Sequence, residues 1–312
     1  MPSRNPFAAG LGGRLGSVHM GEEIDIRLDD GRTLHAYDTG KGDLVVLWHH
    51  GTPNTGAPPS PLFDVSEPLG IRWIAYDRPG YGGSTPRPDR SVASAAGDAA
   101  AVADALGVSR FAVMGHSGGG PHALACAALL PDRVTAVASI ASLSPYTADS
   151  DYFDGMADGG VASLRAALDG RAAKEAHAAR PGDGADIGFN PADWTALDTD
   201  WSWFQQVVAA GVAHGPAPLV DDDLAYVRPW GFPLAAVTAP VLLMHGAADR
   251  MVPSVHATRL AAALPAAPGA PAAPGAPAAP GATVRIIASE GHITVMRHAH
   301  TALHWLRSEA TP

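Results

Sequence analysis

Short apolar runs recur along this sequence and alternate with alanine-rich stretches of helical spacing. A strand buried on both faces of a sheet appears in sequence as a short continuous apolar run, so most of these runs predict central strands. The predicted strands are 23–28, 32–37, 44–48, 71–76, 111–114, 134–141, 241–244 and 283–287, and the predicted helices are 91–106, a stretch from about 121, 254–264 and 295–308. Strands that alternate with helices predict an α/β fold built on a parallel sheet.

The strand pattern is interrupted between 146 and 234. This segment has four of the seven tryptophans and carries fourteen Asp and Glu against five Lys and Arg, a net charge of −9 out of the −10 of the whole chain. Helical spacing recurs inside it at 161–168 and 201–210. We therefore expect an inserted, mainly helical cap between two portions of one core. The predicted parts are 1–145, with a loose arm at 1–20, then the cap at 146–234, then 235–312.

The second core portion contains an exact internal repeat. The hexapeptide Pro-Ala-Ala-Pro-Gly-Ala occurs three times without change between residues 265 and 282. Such low-complexity sequence has few side chains that could pack a core, and its proline and glycine content favours an extended loop. We therefore expect 265–282 to be an expanded surface loop that takes no part in the chemistry.

Composition and charge narrow the possible partners. The formal net charge of −10 argues against nucleic acid or an anionic membrane as a partner. The single cysteine, Cys126, allows no internal disulfide, and its alanine-rich surroundings predict a buried, inert thiol. No apolar run approaches the ~20 residues of a membrane span, and the N-terminal residues lack the apolar core of a signal peptide. These features predict a cytoplasmic protein and leave its oligomeric state open.

The apolar run at 111–114 ends in Gly115-His116-Ser117-Gly118-Gly119, and a helical pattern follows at once. A Gly-x-Ser-x-Gly turn between a strand and a helix is typical of a nucleophile elbow, where glycines make room for the crossing and the serine hydroxyl projects. A phosphate-binding turn would instead have Gly-x-Gly-x-x-Gly or Gly-Lys-Ser/Thr. We predict Ser117 as the nucleophile and the N–H of Gly118, at the helix start, as a donor to an oxyanion.

Two further residues complete a catalytic set. A serine hydroxyl is a weak nucleophile at neutral pH and needs a base, which in turn needs an orienting group. Asp249 follows strand 241–244 and His292 follows strand 283–287. The chain order Ser…Asp…His is the one found with the nucleophile elbow. We predict that His292 takes the Ser117 proton and that Asp249 fixes the tautomer of His292 and stabilises its charged form.

A second oxyanion donor is expected from the loop after strand 44–48. The N–H of Thr52 suits this role, because the glycine before it permits a tight turn and the proline after it stiffens that turn. Other polar residues receive structural interpretations. We expect Asp77 and Arg78 to hold the loop after strand 71–76, and the aspartates at 221–223 to be a solvated turn or helix cap.

Three histidines in the last predicted helix could suggest a metal site. No carboxylate or cysteine completes a ligand set around them in the sequence, so we interpret them as solvated helix residues. The glycine-rich turns also lack the spacing of a dinucleotide or P-loop site. The sequence therefore predicts neither a metal nor a cofactor.

Together these motifs resemble those of the cap-bearing α/β-hydrolase superfamily, over nearly all of the chain outside the arm and the repeats. The matching pieces are His50-Gly51-Thr52-Pro53, Asp77-Arg78-Pro79-Gly80-Tyr81-Gly82-Gly83-Ser84, Gly115-His116-Ser117-Gly118-Gly119, Gly246-x-x-Asp249-x-x-Val252-Pro253 and Gly291-His292. The resemblance implies an eight-stranded, mostly parallel sheet whose second strand is antiparallel. It also implies flanking helices and a lid inserted after the sixth strand.

Some branches of that superfamily fit less well. Haloalkane dehalogenases and epoxide hydrolases carry Asp where this chain has Ser117. Prolyl iminopeptidases usually carry Trp directly after the nucleophile, where this chain has Gly118, although their use of cap carboxylates to bind an amino terminus would suit an acidic cap. The serine-nucleophile branch of esterase-like enzymes is therefore the nearest in its motifs.

We expect a serine hydrolase that cleaves a small ester, lactone or related acyl compound through an acyl-enzyme. A carbon–carbon bond hydrolase or an aminopeptidase would use the same triad. A ligand-binding receptor or partner protein on a hydrolase scaffold belongs to another class and would show no burst of product. A cofactor-free perhydrolase would halogenate only with peroxide and a carboxylic acid present. The acidic cap further predicts a small-molecule substrate that is neutral or cationic.

Overall fold

The structure, a computed structural model, describes residues 21–149, 151–180, 185–265 and 282–309. Its centre is one sheet, whose strands are β1 (Glu22–Arg27), β2 (Thr33–Asp38), β3 (Leu44–His49), β4 (Ile71–Tyr76), β5 (Phe111–His116), β6 (Val134–Ile140), β7 (Val241–Gly246) and β8 (Ala282–Ile287). Their order across the sheet is β1-β2-β4-β3-β5-β6-β7-β8. β2 pairs antiparallel with β1 and β4, whereas β3 to β8 are parallel. The expected eight-stranded, mostly parallel sheet is confirmed.

The strand ends differ from the predicted ones for a physical reason. β5 and β7 are buried along their whole length. Each extends two residues past its apolar run, through Gly115-His116 and His245-Gly246, because backbone pairing with the next strand continues where the side chains become polar. β8 lies at the sheet edge, and residues 283–286 are exposed. An apolar pattern reports burial and not backbone hydrogen bonds, so it locates a strand better than its ends.

Helices cover both faces of the sheet. The α-helices in the described ranges are α1 (Phe63–Ser66), α2 (Ser94–Ala105), α3 (Gly119–Leu129), α4 (Asp158–Leu168), α5 (Arg171–Ala178), α6 (Pro191–Asp198), α7 (Trp203–Val212), α8 (Ala217–Val227), α9 (Val255–Ala263) and α10 (Ala299–Glu309). Short 3₁₀ turns occur at Ser60–Leu62, Leu234–Ala236 and Thr294–His298. Alternate residues of β3 enter opposite cores: Leu47 belongs to the core that contains the side chains of α3, whereas Val46 and Trp48 belong to the core that contains those of α10.

Helices α4 to α8 all lie between β6 and β7, within residues 146–234, and this segment is called the insert below. Its described residues contain no strand. Leu224 of α8 belongs to the same apolar core as α3, and Val207 O of α7 accepts the N–H of Thr55 at 3.0 Å. The insert therefore packs directly on the loops that leave the sheet.

Some expectations fall on residues that the structure does not describe. The arm at 1–20 and positions 266–281 of the repeats are among them.

Cys126 is buried in α3, with Sγ 3.3 Å from His49 Nε2, and burial raises the pKa of its thiol. No described helix is long and apolar enough to cross a membrane. Within the described ranges, no three His, Cys, Asp or Glu side chains are grouped so that they could hold a metal ion.

Candidate active site

The turn between β5 and α3 holds Ser117 in a backbone conformation that few residues adopt. Its φ is +54°, in the left-handed region, and its N–H donates to Ile140 O at 2.8 Å. A Cβ on Gly119 would lie 1.9 Å from His49 O, and one on Gly115 would lie 2.4 Å from Gly119 O. The glycines of the motif therefore let strand and helix meet, with the half-buried serine at the strand end.

Asp249 and His292 meet beyond the ends of β7 and β8. His292 Nδ1 lies 2.8 Å from Asp249 Oδ2, and both residues are buried. The other carboxylate oxygen, Asp249 Oδ1, accepts the N–H groups of Met251 and Val252, each at 2.9 Å. Because its own loop fixes the carboxylate, Asp249 can fix the orientation of the imidazole in turn.

The electrostatics of this pair favour a charged carboxylate beside a basic imidazole. Burial by itself raises the pKa of Asp249, but attraction to His292 and hydrogen bonds from His245 and His292 outweigh it, so the pKa lies well below the usual range. Burial lowers the pKa of His292, but the charge and hydrogen bond of Asp249, aided by Asp193, raise it above the ordinary histidine value. His292 is therefore a stronger base than a free imidazole.

The residue before Ser117, His116, contacts His292 directly. His116 Nε2 lies 2.9 Å from His292 O, and the two imidazole rings are 4.9 Å apart between centroids. Burial, followed by the neighbouring His292, lowers the pKa of His116 to about 3, so His116 is neutral at physiological pH. No hydrogen bond joins the Ser117 hydroxyl to His292 among the described residues. Such contacts are often long before substrate binds, and the structure bonds only two of the three residues directly.

Thr52 and Gly118 lie next to each other beside the elbow. A Cβ added to Gly118 would be 2.7 Å from Thr52 Oγ1, so the two loops are in contact. Gly118 is the N-cap of α3, and the first N–H groups of a helix have no acceptor within it. In the part of the chain that the structure describes, no acceptor binds the N–H of either residue. Both amides are therefore available to a group that carries negative charge.

A carboxylate that the sequence analysis did not assign to the site lies beneath this pair. Asp222 of α8 is fully buried, and its Oδ2 accepts from Thr52 Oγ1 at 2.6 Å. Arg78 Nη2 and Arg90 Nη2 each donate to Asp222 at 2.7 Å. Burial alone would raise the pKa of Asp222, but the two guanidinium groups hold it well below its usual range. Asp222 is therefore a charged group that anchors the Thr52 side chain.

The expectation that residues 221–223 are solvated is therefore wrong. All three aspartates are buried in α8. The sequence could not predict this burial, because the cations that neutralise the three aspartates come from other segments of the chain. The ion pairs are Asp221 with Arg90 and Arg171, Asp222 with Arg78 and Arg90, and Asp223 with Lys174.

Asp77 holds the loop after β4, as predicted from the sequence, whereas Arg78 bonds the loop after β3, which the sequence did not predict. Asp77 accepts the N–H of Gly56 at 2.6 Å and of Gly83 at 3.0 Å. Arg78, besides its pair with Asp222, donates to the backbone oxygen of His50. The loop that carries Thr52 is therefore held by a buried cation, Arg78, and a buried anion, Asp77.

A second carboxylate of the insert, Asp193 of α6, holds the loop that carries His292. Asp193 Oδ2 accepts the N–H of His292 at 3.2 Å. Its Oδ1 accepts the N–H groups of Ile293 and Thr294 at 3.0 and 2.9 Å. The sequence signal is an Asn190-x-x-Asp193 helix start, which the structure shows as a capping box. That local pattern predicts the helix cap. It does not predict the contact with the His292 loop, because that loop is 99 positions away in sequence.

Several known proteins resemble this chain in sequence. A sequence model of the alpha/beta hydrolase fold matches residues 45–299. A non-heme chloroperoxidase from Streptomyces lividans is 30% identical over 77% of this chain and 87% of its own length. A bifunctional esterase/perhydrolase from Acinetobacter calcoaceticus is 28% identical over 72% of this chain and 81% of its own. An epoxide hydrolase from Caballeronia sordidicola is 32% identical over 45% of this chain and 43% of its own.

Proposed function

The chain belongs to the α/β-hydrolase family and is a hydrolase, and on that basis we propose that it cleaves a small ester, lactone or related acyl compound through an acyl-enzyme. One observation carries the proposal. Ser117 stands in a positive-φ elbow at the end of β5, and the residue before it, His116, contacts His292, which is joined to Asp249 at 2.8 Å. Nucleophile, base and orienting acid are the parts that acyl transfer to a serine requires.

In the first half of the proposed reaction, Ser117 Oγ attacks the substrate carbonyl. His292 Nε2 takes the hydroxyl proton, and Asp249, already bonded to Nδ1, stabilises the imidazolium. The carbonyl oxygen gains negative charge and receives the N–H groups of Thr52 and Gly118. His292 then gives its proton to the leaving alcohol, which departs and leaves the acyl group on Ser117.

In the second half, water attacks the acyl-enzyme. His292 removes a proton from that water, the same two amides stabilise the second tetrahedral intermediate, and the proton returns to Ser117 as the carboxylic acid leaves. Each step uses groups of this chain, so the proposed hydrolysis proceeds with no cofactor. The neutral His116 packs on His292 and does not compete with it as a base at physiological pH, since its own pKa is about 3.

The nucleophile also separates the candidate chemistries of the relatives. Epoxide opening in this family uses a carboxylate at the elbow, where this chain has Ser117, and the similarity to an epoxide hydrolase covers less than half of the chain. Acyl transfer therefore has better support than epoxide hydrolysis. The bifunctional esterase/perhydrolase, in contrast, is similar over 72% of this chain.

Perhydrolysis is a second candidate function, favoured by that relative and by the non-heme chloroperoxidase. Hydrogen peroxide would take the place of water at the acyl-enzyme, give its proton to His292 and leave as a peracid, with Ser117 regenerated. Halide would then be oxidised by the released peracid. Halogenation should accordingly need both peroxide and a carboxylic acid or ester, and it should disappear in Ser117→Ala.

We also propose that the insert acts as a cap that closes the site and favours neutral or cationic substrates. Its net charge of −9 supports the charge preference. Part of that charge is offset by two arginines of the core, because Arg78 and Arg90 form ion pairs with Asp221 and Asp222. The preference should therefore be modest.

The proposal is tested by a screen of p-nitrophenyl esters, lactones and aminoacyl amides with the wild-type protein and Ser117→Ala. We expect a burst of one equivalent of nitrophenol from the wild type and turnover reduced by about 10⁶ in the variant. A fluorophosphonate probe should label the wild type alone. Equal labelling of both proteins would contradict the role of Ser117, and turnover of aminoacyl amides alone would favour the aminopeptidase.

A further inference from the structure

Tyr226 of α8 contacts both residues whose amides the proposed mechanism uses. Its hydroxyl lies 2.8 Å from Thr52 Oγ1 and 3.1 Å from Gly118 O. The side chain is buried. A Cβ added to Gly118 would be 2.2 Å from the Tyr226 hydroxyl, so this oxygen occupies the space that a side chain at Gly118 would need.

The direction of these hydrogen bonds follows from the groups around them. A carboxylate can only accept, so the single proton of Thr52 Oγ1 goes to Asp222 at 2.6 Å. In the contact with Thr52, Tyr226 must therefore be the donor. Its one proton has two acceptors within reach, Thr52 Oγ1 and Gly118 O, so the hydroxyl bridges the loop after β3 to the start of α3.

At the other end of this chain of hydrogen bonds, Asp222 is held by several partners. Asp222 accepts from Thr52, from Tyr81 OH at 2.9 Å and from two buried arginines, and it shares α8 with Tyr226 one helical turn away. Residues four apart lie on the same helix face. One face of α8 therefore contacts Thr52 twice, through Asp222 and through Tyr226, and contacts Gly118 once.

We propose that Tyr226, anchored through Thr52 and Asp222, is a positioning residue that sets the spacing of the Thr52 and Gly118 amides. This inference rests on the proposed function, because the spacing matters only if both amides bind the oxyanion. Donors stabilise an oxyanion when they lie about 2.7–3.1 Å from the place where it forms. Small displacements of either loop therefore weaken binding of the transition state more than binding of the substrate.

The test is Tyr226→Phe, which removes one hydroxyl and keeps the ring. We expect kcat to fall by about tenfold to a hundredfold, with KM changed by less than about twofold, because the loss is confined to the transition state. An aryl boronic acid, whose adduct with serine places a hydroxyl where the oxyanion forms, should bind more weakly by about the same factor as kcat falls. A residue that only supported the fold would not produce this matched loss.

Tyr152→Phe is the matched control. Tyr152 is also a buried tyrosine of the insert, and its hydroxyl donates to Ser144 O at 3.2 Å, away from Thr52 and Gly118. We expect wild-type kcat and boronate affinity from it. An equal loss of both in the two tyrosine variants would overturn the inference, since any lost tyrosine hydroxyl would then have the same effect.

Thr52→Val removes the Tyr226–Thr52 bond from the other side, together with the bonds of Thr52 Oγ1 with Asp222 and Arg78, and keeps the inference testable if Tyr226→Phe fails to fold. It should reproduce the kcat loss, and the double variant should lose less than the sum of the two single losses, because both interrupt the same chain of hydrogen bonds. Unchanged kcat and boronate affinity in both single variants would refute the positioning role. Absence of Ser117-dependent turnover in the wild type would instead refute the proposed function itself.

Discussion

Asp193 and Asp222, two buried carboxylates of the insert, each hold a loop of the core, but their partners differ. Asp193 accepts the N–H groups of His292 and the two residues after it, and no cation bonds it in the described ranges. Asp222 bonds two arginines as well as the Thr52 hydroxyl. Both carboxylates are fully buried. One is stabilised by backbone dipoles and the other by cations.

This difference gives the two carboxylates different roles. Because no cation is hydrogen-bonded to Asp193 in the described ranges, its charge acts on His292 and contributes to the raised pKa of that imidazole. The charge of Asp222 is offset by Arg78 and Arg90, so it acts on the Thr52 loop through hydrogen bonds alone. Two acids of the insert therefore hold the core loops that carry Thr52 and His292.

The largest expected effect is on kcat, and it compares Asp249, which bonds the imidazole of His292, with Asp193, which bonds the backbone N–H of His292. Asp249→Asn should lower kcat by about 10⁴, because the amide favours the wrong tautomer of His292. Asp193→Asn should lower kcat by no more than about 100-fold, since it loosens the loop and removes a nearby charge but leaves the Asp249–His292 bond in place. Steady-state kinetics on one ester decide it. Equal losses would mean that Asp193 takes part in proton transfer.

The next effect is on folding stability and concerns Asp222. Asp222→Asn leaves two buried arginines without their full counter-charge, so the free energy of unfolding should fall by about 3–5 kcal/mol. Asp193→Asn breaks no ion pair and should cost about 1–3 kcal/mol. Urea denaturation measures both. The control is Asp200→Asn, which removes a half-exposed pair with Arg297 and should cost about 1 kcal/mol or less. The contrast between the two carboxylates fails if Asp193→Asn is the more destabilising.

A pH profile should distinguish the two carboxylates, because only Asp193 acts on the pKa of His292. His292 must be neutral to accept a proton, and its pKa is raised above 6.5. kcat/KM should therefore fall as the pH drops through this raised pKa, with an acid limb above 6.5. Asp193→Asn removes a negative charge near His292, so the limb should move to lower pH. Asp222→Asn should leave the limb in place, because Asp222 is not among the charges that act on His292. A shifted limb in the Asp222 variant would contradict the distinction.

The smallest effect concerns the substrate. With several carboxylates of the insert already paired inside the protein, a neutral or cationic ester should exceed its anionic analogue in kcat/KM by about tenfold or less. The advantage should shrink in salt, since the Debye length falls to about 3 Å at 1 M. Matched esters of equal size, assayed at low and high ionic strength, give the result. Equal kcat/KM at low salt would show that the charge of the insert does not reach the substrate.

The sequence by itself located the strands and the elbow. Each is a local signal: a short apolar run, or two glycines around a serine where a strand gives way to a helix. The chain order of Ser117, Asp249 and His292 was equally visible, because each follows a strand of one parallel sheet. The bond between His292 and Asp249 agrees with the pairing expected from that order. The triad as a catalytic unit stays a proposal.

Only the tertiary structure decided what the acids of the insert do. Asp222 meets Arg78 across 144 positions of sequence, and Asp193 meets the His292 loop across 99. In sequence the aspartates at 221–223 have the pattern of a solvated run, since nothing local shows that α8 turns them toward buried arginines. The partners of these buried charges come from distant segments that meet only in the folded protein. Pairing with them offsets the free-energy cost of removing each charge from water.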